Sequence, residues 1–255
     1  MVTAPRAFNI APSRQLPRPL PPRGLIFLAA GWLVASWLLS IGIRPPVQAH
    51  AASYTPGVRL MCLSLVVGIC LAWPLVRLSG PGRAWPIRQA LLDLAVLLAL
   101  AQVVVWPLRL VTPWVPVRSA AIDLCLTGWA VAATALVVIG TIPVERGAGT
   151  RRIAAMLGIL VFVAAVPAAS LFFGGTLPFS PQDPSALSNS WWNIASWSPL
   201  SAVHALSAPN PKPPSEAEWR LALTGWWVAV PSWIAAGLAV LLVRQEEPNS
   251  STSAL

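Results

Sequence analysis

Two histidines, a cluster of tryptophans and four polar residues embedded in apolar sequence are the parts of this chain whose chemistry could exceed packing. His50 and His204 are the only histidines, and His204 closes the stretch SNSWWNIASWSPLSAVHAL, Ser188 to Leu206, which also holds Trp191, Trp192 and Trp197. Two imidazoles could supply axial ligands to a haem iron, with the three indoles as an aromatic platform. The simpler reading, and the preferred one, sets the tryptophans at a membrane headgroup layer, where an apolar ring with one N–H donor is well solvated. Arg59, Asp93, Gln102 and Asp123 fall inside long apolar runs, where ionisable groups are costly and mark either ion pathways or interhelical pairs. Asp123 lies near the same boundary as Arg59 and Arg118, so an interhelical ion pair is expected there rather than a transport role. Asp93 and Gln102 are nine residues apart, which at 100° per residue places them on opposite faces of one helix. They form no continuous polar stripe, and a proton pump or ion channel built on a chain of carboxylates and histidines is not supported.

Catalytic signatures are missing. A Walker A loop needs a lysine for the phosphates, and Lys212, the only lysine, lies in a proline-rich stretch. There is no H-E-x-x-H, and the only Leu-Ser-Gly, Leu78 to Gly80, has no leading glycine. Cys62, Cys70 and Cys125 have no C-x-x-C spacing and read as small packing residues, so neither a metal site nor a disulfide is expected. The chain is therefore expected not to be an enzyme and to carry no cofactor of its own.

The elements that must position these residues follow from composition. Of the 255 residues 56% are hydrophobic and 10% charged, too apolar for a water-soluble domain. Six apolar runs match the roughly 30 Å hydrocarbon layer: 24–43, 58–76, 90–111, 119–142, 153–173 and 221–243. Backbone groups in lipid must be satisfied within the segment, so each should be a helix, and the fold class is all-α, a polytopic membrane bundle. Placing the N-terminus inside puts eleven arginines (6, 14, 18, 23, 77, 83, 88, 146, 151, 152 and 244) on the inner side. Only Arg44, Arg59, Arg109, Arg118, Lys212 and Arg220 then lie outside. By the positive-inside rule both termini are cytoplasmic and the 174–220 connection is outside. The net charge of +9 serves topology and anionic lipid, not nucleic acid, because the arginines are dispersed over short loops. Residues 1–23 read as a disordered Pro/Arg-rich lead-in and 244–255 as a polar tail. The first apolar run is too long for the core of a cleavable signal, so it is expected to remain as a helix.

Local sequence shapes the outer connection. Asp183-Pro184 and Ser198-Pro199 can each begin a short helix, and Ser215-Glu-Ala-Glu218 is a capping box for the last span. Leu200, Val203 and Leu206 share one flank of the second short helix, which can lie against lipid or dip back into the bundle. Six helices and a Trp-rich outer segment resemble the haem-handling proteins of cytochrome c maturation, although Asn193 stands where that pattern has Asp. Six helices with both termini inside, short outer helices before the last span and the element Ser198-Pro199-Leu200-Ser201-Ala202 resemble the membrane subunits of ABC exporters whose ATPase is a separate chain. Residues 1–23 lack an amphipathic entry helix, and the inner loop Arg77 to Gln89 is short for docking an ATPase. That resemblance implies export of an apolar or amphiphilic substrate, partnership with an ATPase or other membrane subunits, and residence in a bacterial inner membrane. A structural or assembly subunit of a larger membrane complex, contacting lipid, pigment or partner helices, ranks second, and haem handling through His50 and His204 third.

Overall fold

The computed structural model describes residues 23–42, 51–80, 85–142, 148–165, 167–168, 172 and 197–250. No strand occurs among them. Helix α1 (Arg23–Trp37) closes in a π-helical turn, Leu38–Gly42. Helix α2 (Ala51–Val67) passes through a π segment, Gly68–Ala72, into α3 (Trp73–Ser79). Helices α4 (Pro86–Leu108) and α5 (Pro116–Thr141) follow, then α6 (Ala148–Leu160) with a π segment, Val161–Ala165. The chain ends in the short α7 (Pro199–Leu206) and the long α8 (Glu216–Ser250). Five helical stretches are long and apolar enough to cross a membrane: Arg23–Gly42, Ser53–Ser79, Pro86–Leu108, Pro116–Thr141 and Glu216–Val243. These are compatible with a multi-pass integral membrane protein. The expected fifth run begins in α6, and its later part extends beyond the described residues.

Proline sets several of these boundaries. Pro86, Pro116 and Pro199 each occupy the first turn of a helix, where the missing N–H has no intrahelical partner to lose. This explains why α4 and α5 begin at Pro86 and Pro116, ahead of the expected Ala90 and Ser119. Within the α2–α3 span, Pro74 cannot donate to the Cys70 carbonyl four residues earlier. The helix widens just before it, and the Trp73 N–H reaches back five residues to Gly68 O.

The core is organised around α5, whose buried face runs from Arg118 to Gly140. Its principal neighbour is α8. Trp226 Nε1 donates to Leu124 O and Trp233 Nε1 to Val131 O, each at 3.0 Å. Donors and acceptors both advance by seven residues, so the two helices run parallel and in register. Between these staples the backbones touch: a Cβ on Gly225 would lie 2.7 Å from Trp129 N and 2.9 Å from Gly128 C. In lipid, such small-residue crossings supply the packing that water would otherwise drive. Helix α6 runs antiparallel to α5, because Ala155 meets Gly140 while Phe162 packs edge-on to Trp129 with ring centroids 4.9 Å apart. Helix α1 is attached more thinly, through Ser36 Oγ to Ser64 Oγ at 2.5 Å and Trp32 Nε1 donating to Ser64 O at 3.0 Å. Cys62, Cys70 and Cys125 are free and buried in the packed interior.

The Gly225→Ala substitution should lower thermal stability in detergent, measured by scanning fluorimetry, by an amount equivalent to about 1–3 kcal/mol, because the clashing atoms are backbone. Gly237→Ala, with nothing within 4 Å, should leave the melting temperature unchanged or raise it.

Candidate functional site: a helix folded back into the bundle

Helix α7 is where the expected functional residues and the core meet. Pro199, Ser201, Ala202, Val203 and Leu206 are buried, so the helix dips into the bundle between α2, α5 and α8 instead of lying on its surface. Its lower attachment follows from a proline in another helix. Pro167 cannot donate to the Val163 carbonyl, and Ser198 Oγ donates to that oxygen at 3.2 Å. Ser198 thus stands at the N-cap position of α7 but makes no side-chain capping bond to its own helix.

The depth of that attachment can be counted along the helices. Ala155 lies level with Gly140, and Val163 is eight residues farther on, about 12 Å at 1.5 Å per residue. This brings Ser198 close to the level of Trp129, in the middle of α5, whereas the C-terminus of α7 meets Arg118 at the start of α5. The helix therefore rises from mid-bundle to one end.

At that end the carbonyls of α7 and its continuation are taken by donors from three elements. Arg59 Nη2 donates to His204 O at 3.1 Å, Arg118 Nη1 to Leu206 O at 3.1 Å, Arg118 Nε to Lys212 O at 3.1 Å and Trp114 Nε1 to Ala208 O at 3.1 Å. A helix C-terminus presents unpaired carbonyls and the negative end of its dipole, so guanidinium groups are suited partners. Arg118 is fully buried and closes on Glu218 through Nη1 to Oε1 at 2.8 Å and Nη2 to Oε2 at 3.2 Å. Glu218 is in turn held by the expected capping box: Ser215 N donates to its Oε2 at 2.7 Å, and its own N–H donates to Ser215 Oγ at 3.3 Å.

Comparisons with protein families, with curated proteins and with solved structures found no match to this chain.

His204 is half-buried against Arg59, whose Nη2 lies 2.9 Å from Nε2. A guanidinium only donates, so Nε2 accepts and the ring proton sits on Nδ1. Burial, reinforced by the Arg59 charge, pushes the imidazole pKa down to about 4. The nitrogen that would ligate a metal from this ring is thus already engaged. Trp197 is half exposed beside the start of α7, while His50, Trp191 and Trp192 lie outside the described residues. No cluster of metal-ligating side chains occurs among the described residues.

The polar residues within the long apolar helices separate into two groups. Fully buried Asp93 pairs with Arg77 of α3 and accepts from Gln89 Nε2 at 3.0 Å. The expected pairing of Asp123 with Arg59 or Arg118 is not formed, because both arginines are turned towards α7 and Glu218. Asp123 instead accepts from Gln102 Nε2 at 2.5 Å, and Gln102 Oε1 accepts from Trp106 Nε1 at 2.7 Å. Asp93 and Gln102 do face different neighbours, α3 and α5 respectively, as their spacing requires.

Acidification from about pH 6.5 towards pH 4 should loosen α7. A lowered folded-state pKa means that the unfolded imidazole binds more protons across that window, so His204 contributes stability that is present above it and lost as pH falls. Amide exchange across residues 199–208 should accelerate on going from pH 7 to pH 5 after correction for intrinsic rates, and His204→Gln should flatten that dependence. Arg118→Ala should cost about 3–5 kcal/mol of stability by leaving Glu218 and two carbonyls without their partner, and Arg118→Lys should recover only part of it.

Proposed function

We propose that the chain is the membrane subunit of an exporter driven by a separate ATPase, resembling the six-helix permeases of ABC exporters and residing in a bacterial inner membrane. The observation that carries this reading is α7, a short helix ahead of the last span, folded back to mid-bundle and clamped between α2, α5 and α8. In this reading α7 is the element that would open or close a pathway between the bundle and the outer side. Six spans with both termini inside fit the parallel arrangement of α5 and α8, because two parallel spans need a return crossing between them and α6 runs in that opposite direction. An apolar or amphiphilic substrate fits the groove of about 460 Å³ between α1, α2 and α4, lined by Leu33, Trp37, Tyr54, Met61, Val104 and Leu108.

A second reading, a structural or assembly subunit, is favoured by the uncovered apolar faces of α1 and α8. Phe27 on α1, Leu39 in the π-helical turn that closes it, and Trp227, Ile234 and Leu242 on α8 are broadly exposed. Purification of the full chain in mild detergent with mass spectrometry of its partners distinguishes the two. The exporter predicts a co-purifying P-loop ATPase whose hydrolysis changes when Ser198→Ala weakens the α7 attachment. Recovery only within a larger membrane assembly lacking any ATPase would replace it with the structural reading.

A further inference from the structure

Asp93 and Asp123 each lie seven residues beyond the proline that begins their helix, at opposite ends of the bundle, and differ in how their charge is met. Asp93 has the Arg77 guanidinium, whereas Asp123 has only neutral donors, the Gln102 amide and the Trp106 indole, whose N–H also reaches Gln102 Oε1. Asp123 lies seven residues beyond Pro116, about 10 Å along the axis from the start of α5. Its seam with α4 is flanked by outward-facing Val103 and Trp106. An ionised carboxylate in such a place needs a cation or water, and its neutral acid needs neither.

Several charged groups on the elements packed around α5 have partners elsewhere, and others lie away from Asp123. Arg118 closes on Glu218, Arg220 on Glu216 and Arg77 on Asp93, while Arg59 is turned to His204. Arg152 donates to Gly80 O at the opposite end of the bundle, and Arg88 begins α4 at that same end. Arg109, at the C-terminal cap of α4, makes no ion pair with Asp123 among the described residues.

We propose that Asp123 is a proton-binding site within the membrane layer, carrying its proton at neutral pH, with Gln102 and Trp106 as positioning residues that hold the carboxyl at the α4–α5 seam. The ligand is a single proton, and the site stands whether or not the chain transports anything. Loss of the proton turns an acid that tolerates apolar surroundings into an anion that must recruit water or a cation. Protonation is thereby coupled to the contact between α4 and α5.

The test uses the full chain in lipid nanodiscs and dicyclohexylcarbodiimide, an apolar reagent that reacts with carboxylic acids in their protonated form. The acid O–H adds across one C=N bond, its proton passing to nitrogen, and the O-acylisourea rearranges to a stable N-acylurea without any oxidant or reductant. At pH 7, peptide mass spectrometry should find Asp123 labelled at least about tenfold more than exposed Glu216. Labelling should decline as pH rises towards 9. Gln102→Leu, which removes the donor to the carboxylate, should extend labelling to higher pH, a shift that a purely structural role would not produce. An unlabelled Asp123 peptide at pH 6–7, or labelling that follows Glu216 at every pH, would overturn the proposal. The wild-type measurement decides it even where a variant fails to fold.

Discussion

The arrangement of one whole end of the bundle depends on the buried guanidinium of Arg118. It joins the start of α5 that carries it, the first turn of α8 through Glu218, the end of α7 through the Leu206 carbonyl and the segment that follows α7 through the Lys212 carbonyl. A buried ion pair is weak evidence for stability when it stands alone, because desolvation offsets most of the attraction. Here the remaining donors go to backbone carbonyls, that of Leu206 buried, and Glu218 is held by Ser215 as well as by Arg118. The pair therefore works as a register lock. It sets the axial offset between α5 and α8, which brings Trp226 and Trp233 opposite Leu124 and Val131 and lets Gly128 and Gly225 meet.

The same economy governs the attachment of α7. Proline in a span frees a carbonyl four residues earlier, and a free carbonyl in an apolar layer must find a donor. Val163 finds Ser198. The proline that limits one helix thus creates the docking point for another, and the guanidinium groups at the far end satisfy the carbonyls that the short helix exposes. Helix α7 is held at both termini by polar contacts and along its length by apolar ones, an arrangement suited to an element that stays folded inside the bundle.

The helical character and five of the six expected apolar runs were legible because the constraint on backbone groups acts on each run separately and leaves its mark in local composition. The capping box at Ser215 and the start of α7 at Pro199 were legible for the same reason, since both are contacts within a few residues. What joined to what was not. Arg59, Arg118 and Asp123 lie near one boundary, and proximity in depth suggested an ion pair, but depth says nothing about direction around a helix axis. Glu218 was visible as a cap and Arg118 as an outer charge, yet their union spans a hundred residues. The partners of the tryptophans in the last span were equally out of reach of local sequence. Trp226 and Trp233 are chemically fit for a headgroup layer, and the structure spends their N–H groups on carbonyls of a neighbouring helix.

The aspartates show why residue type at a given depth leaves function undetermined. Asp93 and Asp123 are each one carboxyl inside an apolar helix, and each accepts from a glutamine amide. At Asp93 the glutamine is four residues earlier on the same helix and Arg77 supplies the countercharge, so the site is complete and static. At Asp123 the glutamine comes from the facing helix and is itself held by a tryptophan at the bundle surface, so the donor chain leads outward and ends without a cation. The first arrangement neutralises a charge permanently. The second leaves neutralisation to a proton, which can leave again, and that difference rests on where a single arginine points.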